Sequence, residues 1–402
     1  MKIMHCSDVH LGKRPVGPIG VYSQKRYDDY FRAFEQCIDT GIKENIDVLL
    51  IAGDLFDRGY ITPEVLERTE SILQKCLANN IQVLLIEGNH DNIARDKEPE
   101  SWIIYLENKK YISRPFCSFD GDGYHFHPVT LDGINFYGAG YPGDMVNETM
   151  KALAEQLPPL PSKNIVMVHT AVSGSDFYHG TVEKETVQLF KDKVIYMAGG
   201  HWHSYQYFPQ EHPYFFIPGS LEFWDLNEPA DKKGCIIFDT ESRIHTFVPS
   251  HPRKKIELTL EAESASPDTV LQEFKNYVNT IDIARDEDIV LAEIRIASTF
   301  YVDAALCEEL LLDKGALKAV VKVSSPGREK SEWALHPAMG VEKAEEELIS
   351  TWEVFCGMAS QTYAVLQKLK MHQREGNRQL FLECLDGMLE MLMKKEENAG
   401  EN

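Results

Sequence analysis

The chain has 402 residues, 43% of them hydrophobic and 26% charged, which is enough apolar material for two or three folded domains. Forty-one Lys and Arg against 63 Asp and Glu leave a net charge of −22, which excludes a protein that holds nucleic acid by a general basic surface; any such binding must draw on metal ions, a local patch or a partner. No apolar run approaches the roughly 18 residues of a bilayer span, and MKIMHCSDVH has no signal core, so a soluble, cytoplasmic protein with no membrane contact is expected.

KIMHCSD (2–8) reads as a short strand that ends in polar residues. Tyr30, Phe31, Phe34, Ile38 and Ile42 then recur at helical spacing between Tyr27 and Glu44. VLLIAGD (48–54) is a buried-strand run, Pro63 opens a second helix with Leu66, Ile72, Leu73, Cys76 and Leu77 on one face, and VLLIEGN (83–89) is the next strand. This alternation predicts βαβ units and a parallel sheet. GINFYGAGY (133–141), NIVMVHT (164–170), VIYMAGGHWH (194–203), YFFIPGS (214–220) and GCIIFDT (234–240) follow as strands, so residues 1–250 read as one mixed α/β domain.

The texture changes after His251. KKIELTLE, Pro267–Val278, DIVLAEIRIA, Tyr301–Leu312 and ALKAVVKVS alternate as strand and helix, a small βαβαβ domain over 251–324. Residues 325–340, with Pro and Gly but few periodic apolars, read as a linker. Beyond it, Leu348, Trp352, Phe355, Ala359, Tyr363 and Leu366 mark one amphipathic helix, and Leu380 to Leu392 a second, within a region 341–397. The eight cysteines form no C-x-x-C pair and mostly lie in apolar surroundings, so reduced core thiols are expected.

Polar residues gather at the carboxyl ends of the predicted strands, the edge where α/β folds assemble sites. They are Asp8 and His10, then Asp54 and Asp57 after Gly53, then Asn89, His90 and Asp91 after Gly88, then His169, then His201 and His203 after Gly200. Imidazole nitrogens and oxygens without a thiolate suit Mn²⁺, Fe²⁺ or Zn²⁺ more than a structural zinc site. Seven ligands, Asp8, His10, Asp54, Asn89, His169, His201 and His203, satisfy two ions if one carboxylate is shared, and Asp54 is the natural bridge. Two ions at about 3.5–4 Å clamp a phosphate and make a water between them acidic near neutral pH.

The ordered set D-x-H, G-D-x-x-D, G-N-H-D, H and G-H-x-H resembles the calcineurin-like metallophosphoesterases. SDVHLGKR, AGDLFDRG, EGNHDN, GGHWHS and PGSLEFWDLNEPADKKG are similar, in order and spacing, to segments of the SbcD-type nucleases of DNA double-strand-break repair. The resemblance implies a four-layer α/β/β/α sandwich with a small α/β capping domain and C-terminal helices. It also implies two Mn²⁺-type ions, nuclease activity on DNA, and a homodimer formed through helices of the first domain. One ion falls to Asp8, His10, Asp54 and His203, the other to Asp54, Asn89, His169 and His201. His90 faces the scissile phosphate, and Asp91 is expected to orient it through a hydrogen bond.

Lys13, Arg14 and Arg58 are expected to form a basic rim for DNA beside the ions, and neutralising all three should weaken binding and flatten its salt dependence. Tyr178 and His179 lie in a segment suited to line the substrate groove, whereas His5 reads as a core residue. Two lone helices bury little, so 341–397 is read as a dock for another chain, by the resemblance a coiled-coil, SMC-like ATPase of the SbcC type. The alternative function is a phosphoesterase on small phosphodiesters or phosphomonoesters.

Overall fold

Period-two alternation in three short strands determines how this molecule is layered. A computed structural model describes residues 1–15, 19–91, 101–160, 162–173, 180–229, 232–262, 266–297, 301–324 and scattered positions between 362 and 387. Strands Lys2–Cys6, Val48–Ala52 and Gln82–Ile86 run parallel, and Gly234–Asp239 and His245–Pro249 continue the same sheet antiparallel beside Lys2–Cys6. Successive side chains point to opposite faces. Met4, Cys6, Leu49, Ile51, Val83 and Leu85 therefore face the helices Val21–Lys43, Pro63–Ala78 and Trp102–Asn108. Ile3, Val48, Leu50, Leu84 and Ile86 face the other way, onto Phe136, Ile165, Met167, Tyr196 and Phe216.

Those last residues belong to a second, six-stranded sheet of 129–131, 134–138, 163–167, 196–198, 206–208 and 215–217. Its outer face, with Val166, Val168 and Met197, packs on helices Val146–Gln156 and Lys184–Gln188. The order helix, sheet, sheet, helix is the four-layer α/β/β/α arrangement that the family resemblance implies. Strands buried on both faces explain the near-continuous apolar runs. His5 is a core residue, as expected, with Nδ1 2.9 Å from the Tyr196 hydroxyl and Nε2 3.0 Å from the Gly199 carbonyl.

The first helix begins at Val21, six residues before the expected Tyr27. The turns before Tyr27 bury Ser23 and Arg26 rather than apolar residues, so a hydrophobic period cannot reveal them. Asp29 is fully buried and takes a bidentate pair from Arg253 at 2.6 and 2.7 Å, with Arg26 at 2.9 Å. Removing one partner of such a network strands a buried charge, at a cost of about 3–5 kcal/mol. The short helices and strands 102–108, 116–119, 124–127, 146–156, 184–188, 206–208 and 245–249 lie outside the elements expected from the sequence; most are too short to carry a period.

Residues 255–324 form a three-stranded parallel sheet, 255–262, 289–296 and 318–324, with helices Pro267–Asn279 and Ala304–Lys314 and a core of their own around Phe274, Ile294 and Leu311. Arg253 ties this unit to the sandwich, bonding Asp29 on one side and the Glu287 carboxylate and carbonyl at 2.7 and 2.9 Å on the other. The chain divides into two compact units, 1–324 and 325–402. The expected linker 325–340 lies outside the described residues, as does most of 341–397; the positions described there, among them Tyr363 and Leu380, are helical. Among the described residues no helix is long and apolar enough to cross a membrane, and the described cysteines are free thiols.

Candidate metal centre

Each strand that supplies the site stops two or more residues before its polar groups, and the backbone then turns sharply. Asp8, His10, Asp54 and His201 all have positive φ, between 51° and 72°, in the left-handed region that L residues rarely enter. Local bonds hold them there. Asp8 N donates to Gly53 O at 3.1 Å, Val9 N and His10 N to Asp54 O at 2.9 and 3.0 Å, and His201 N to both oxygens of Asp8 at 3.1 Å. Glycine is required where these turns meet. A Cβ on Gly53, itself at φ +88°, would lie 2.3 Å from His169 Nδ1, and one on Gly88 2.1 Å from Asp54 Oδ1.

The seven expected ligands converge. His10 Nε2 lies 3.3 Å from His203 Nε2, and Asp8 Oδ1 is 3.9 Å from His203 Nε2. Asn89 Oδ1 lies 3.0 Å from His201 Nδ1 and 3.1 Å from His169 Nε2. Asp54 Oδ2 stands between the two sets, 3.2 Å from His169 Nε2 and 3.9 Å from His10 Nε2. Asp8, His10 and His203 offer ligand atoms within 4.8 Å of one another, as do Asp8, Asp54 and His169.

The donor set fits cations. His169 Nδ1 is 2.8 Å from the Ala52 carbonyl and must donate to it, which leaves the Nε2 lone pair facing the oxygens of Asp54 and Asn89. Acceptor against acceptor is satisfied only by a bound cation or a second proton. Burial opposes charge on this ring, yet Asp54 and Asp8 raise its pKa to about 9; the same negative field draws a divalent ion. Burial likewise opposes charge on Asp54, but His169 and His10 hold its carboxyl well below the ordinary range. His10 goes the other way, its protonation disfavoured by burial despite Asp54, and its buried Nδ1 has no hydrogen-bond partner.

His90 sits beside this group without the same bonds. Its amide donates to Asp54 Oδ1 at 2.8 Å, and its Nδ1 lies 2.8 Å from the Asp57 carbonyl, so Nε2 is the nitrogen left to exchange a proton. The expected hydrogen bond from Asp91 to His90 is not made. Asp91 Oδ2 accepts from Gly88 N at 2.9 Å and Leu55 N at 3.3 Å, and Oδ1 from Phe56 N at 2.9 Å. Both oxygens are spent on backbone, which staples the Gly88 turn to the Asp54 turn and leaves nothing for the imidazole next to it in the chain. Burial, with the Asp54 charge nearby, pushes the Asp91 pKa up to about 7 against the Gly88 and Phe56 amides.

Of the basic rim, Lys13 is turned inward. Its ammonium lies 2.8 Å from the centroid of Trp224 and 3.5 Å from Asp57 Oδ1, and burial lowers its pKa against the pull of Asp57. Arg14 lies 3.9 Å over the Tyr27 ring, while the Arg58 side chain is 78% exposed. Arg14 and Arg58 line one cavity of about 300 Å³ with Tyr60 and Asp57. Tyr178 and His179 lie outside the described residues.

Sequence patterning gives no role to Trp224, Glu228 or Lys233. The Trp224 ring packs on His10, His90 and His203 at 4.3, 5.0 and 5.5 Å between centroids, forming a wall of the pocket. Glu228 Oε1 is 3.0 Å from His203 Nδ1, and Lys233, fully buried, reaches Glu228 Oε2 at 2.6 Å. Burial works against the Glu228 charge, but His203 and Lys233 bring its carboxyl down to about 2. These residues lie in an irregular stretch with no period and no ligand spacing; the segment PGSLEFWDLNEPADKKG carries the family resemblance, but residue type alone assigns none of the three a role.

Residues 1–205 match the family model described as calcineurin-like phosphoesterase. The chain is 29% identical over 206 residues to the DNA double-strand break repair protein Mre11 of Saccharolobus solfataricus, covering 51% of this chain and 50% of that protein. It is 26% identical to the uncharacterized metallophosphoesterase YhaO of Bacillus subtilis, over 61% of this chain and 59% of that one. With a subunit of the nuclease SbcCD of Staphylococcus epidermidis it shares 28% identity over 64% of this chain and 72% of the relative. The match thus spans half the length of the first of these relatives.

Proposed function

The chain belongs to the calcineurin-like phosphoesterases, and from that premise we propose that it is a two-metal phosphodiesterase acting on DNA. The observation that carries the reading is the convergence of Asp8, His10, Asp54, Asn89, His169, His201 and His203 on one pocket, with lone pairs and carboxylate oxygens opposed. DNA as substrate is supported by the likeness to relatives named for double-strand break repair and for nuclease activity.

Asp8, His10, Asp54 and His203 would hold one ion, and Asp54, Asn89, His169 and His201 the other, with Mn²⁺ best suited to this mixture of imidazole and oxygen. When bound, two such ions polarise a phosphate and supply a nucleophile at neutral pH. The chain's own residues do the rest. His90, its Nδ1 anchored on the Asp57 carbonyl, carries the proton delivered to the leaving oxygen from Nε2. Trp224 shields the imidazoles from water on one side. Arg14 and Arg58 present cations to the neighbouring phosphates.

The test compares single-stranded DNA, duplex ends and a chromogenic phosphodiester, with EDTA and with added Mn²⁺. Mn²⁺-dependent cleavage of DNA is expected. Turnover of the small diester with none of DNA would move the reading to small phosphodiesters, which the charge of −22 would suit. We further propose that 341–397 docks on an SMC-like ATPase of the SbcC type. Deleting 341–402 is expected to spare metal-dependent hydrolysis and abolish co-purification with that ATPase; retained co-purification would refute the assignment.

A further inference from the structure

The ligands of the centre are not held equally well. His169 lies two residues past the strand 163–167, and its Nδ1 is fixed by the Ala52 carbonyl of the neighbouring sheet. His201 is pinned through its own amide on Asp8. His203 lies in an irregular segment, its side chain 22% exposed, and neither restraint applies to it. What fixes its ring is Glu228, 25 positions further on, through the 3.0 Å contact at Nδ1.

Glu228 is itself held at its second carboxylate oxygen and at its backbone. Its Oε2 accepts from Lys233 Nζ at 2.6 Å and from Trp224 N at 3.0 Å. Lys233 also donates to Ser220 Oγ at 2.9 Å and to the His203 carbonyl, so one fully buried ammonium bonds both the imidazole's own backbone and the carboxylate that orients the ring. From the other side Lys255, the first residue of the strand Lys255–Ala262, donates to the Leu226 and Glu228 carbonyls. A buried lysine with this many bonds has a structural purpose, since an uncompensated ammonium is costly to bury. The reaction proposed above makes no use of it.

We propose that Glu228 is the positioning residue for His203, so that one of the two ions, the one shared with Asp8 and His10, depends on it and the other does not. The proposal rests on the two-metal reading. A carboxylate at Nδ1 keeps the proton there, presents Nε2 as a lone pair and makes it a better donor, and loss of such a partner commonly costs about 10–100-fold in metal affinity. The ion held by Asn89, His169 and His201 has its own anchors, which Glu228 does not touch.

Titration of the full-length chain with Mn²⁺, followed by calorimetry and by the electron paramagnetic resonance of the bound ion, separates the cases. Wild type is expected to take up two ions. Glu228→Ala is expected to take up one with unchanged affinity and the other roughly 10–100-fold more weakly. Glu228→Gln, which keeps size but removes the charge at His203 Nδ1, is expected to weaken the same ion alone by about tenfold, the lower end of that range, and it decides the question should the alanine variant fail to fold. Two ions at wild-type affinity in the variants would overturn the proposal, and so would equal weakening of both. A wild-type chain that binds no Mn²⁺ would overturn the two-metal reading and this inference with it.

Discussion

Asp54→Asn is expected to remove both ions at once and reduce hydrolysis to background. Asp54 Oδ2 is the oxygen that lies within 4 Å of His10 on one side and His169 on the other, at 3.9 and 3.2 Å. The amide removes the charge that both ions would share and leaves an N–H competing for the same space. The fold should survive, because asparagine tolerates the φ of +53° and still offers an oxygen to the His90 amide. Two ions contribute several kcal/mol to a phosphoryl-transfer transition state, and about 1.4 kcal/mol is tenfold in rate, so a fall of about 10³–10⁴ or more is expected. Mn²⁺ calorimetry beside a DNA cleavage assay checks it; retention of one ion at full affinity would show that Asp54 does not bridge.

His90→Ala should separate proton transfer from metal binding. His90 belongs to a third cluster, with His10 and Asp57, whose ligand atoms lie within 4.8 Å of one another, so it is close enough to be mistaken for a ligand. Its bonds argue otherwise, since its Nδ1 is committed to a backbone carbonyl and its amide to Asp54. The expected result is kcat down by about 10²–10⁴ with little change in KM and both ions still bound. Loss of an ion from this variant would make His90 a ligand, and an unchanged kcat would remove it from the reaction.

The candidate metal centre is legible in sequence because its chemistry coincides with its backbone. A strand that ends, a glycine that permits the turn and a proposed ligand at the turn leave a readable trace in Gly53-Asp54, Gly88-Asn89 and Gly200-His201. What supports the proposed ligands is legible only as part of a segment that resembles the family. Glu228 and Lys233 come from an irregular stretch, and their role depends on a fold that brings residue 228 to residue 203. Asp91 misleads for a related reason: adjacency to His90 suggests a side-chain partner, whereas three backbone amides claim its oxygens. Charge alone places Lys13 on a rim, but Asp57 and Trp224 draw it inward. Arg26 and Arg253 look like surface residues in sequence and are buried because Asp29 lies between them.

The proposed ligands also have an order in time. His10 and His203 stand 3.3 Å apart in space and 193 positions apart along the chain. Synthesis runs from the N-terminus at about 5–20 residues per second, so a polypeptide still emerging from the ribosome carries Asp8, His10, Asp54 and Asn89 for many seconds without their partners. Until the second sheet has left the exit tunnel and docked on the first, the ligand set proposed for either ion is incomplete. The pocket is therefore completed only with the finished sandwich, and its N-terminal half must wait for the rest.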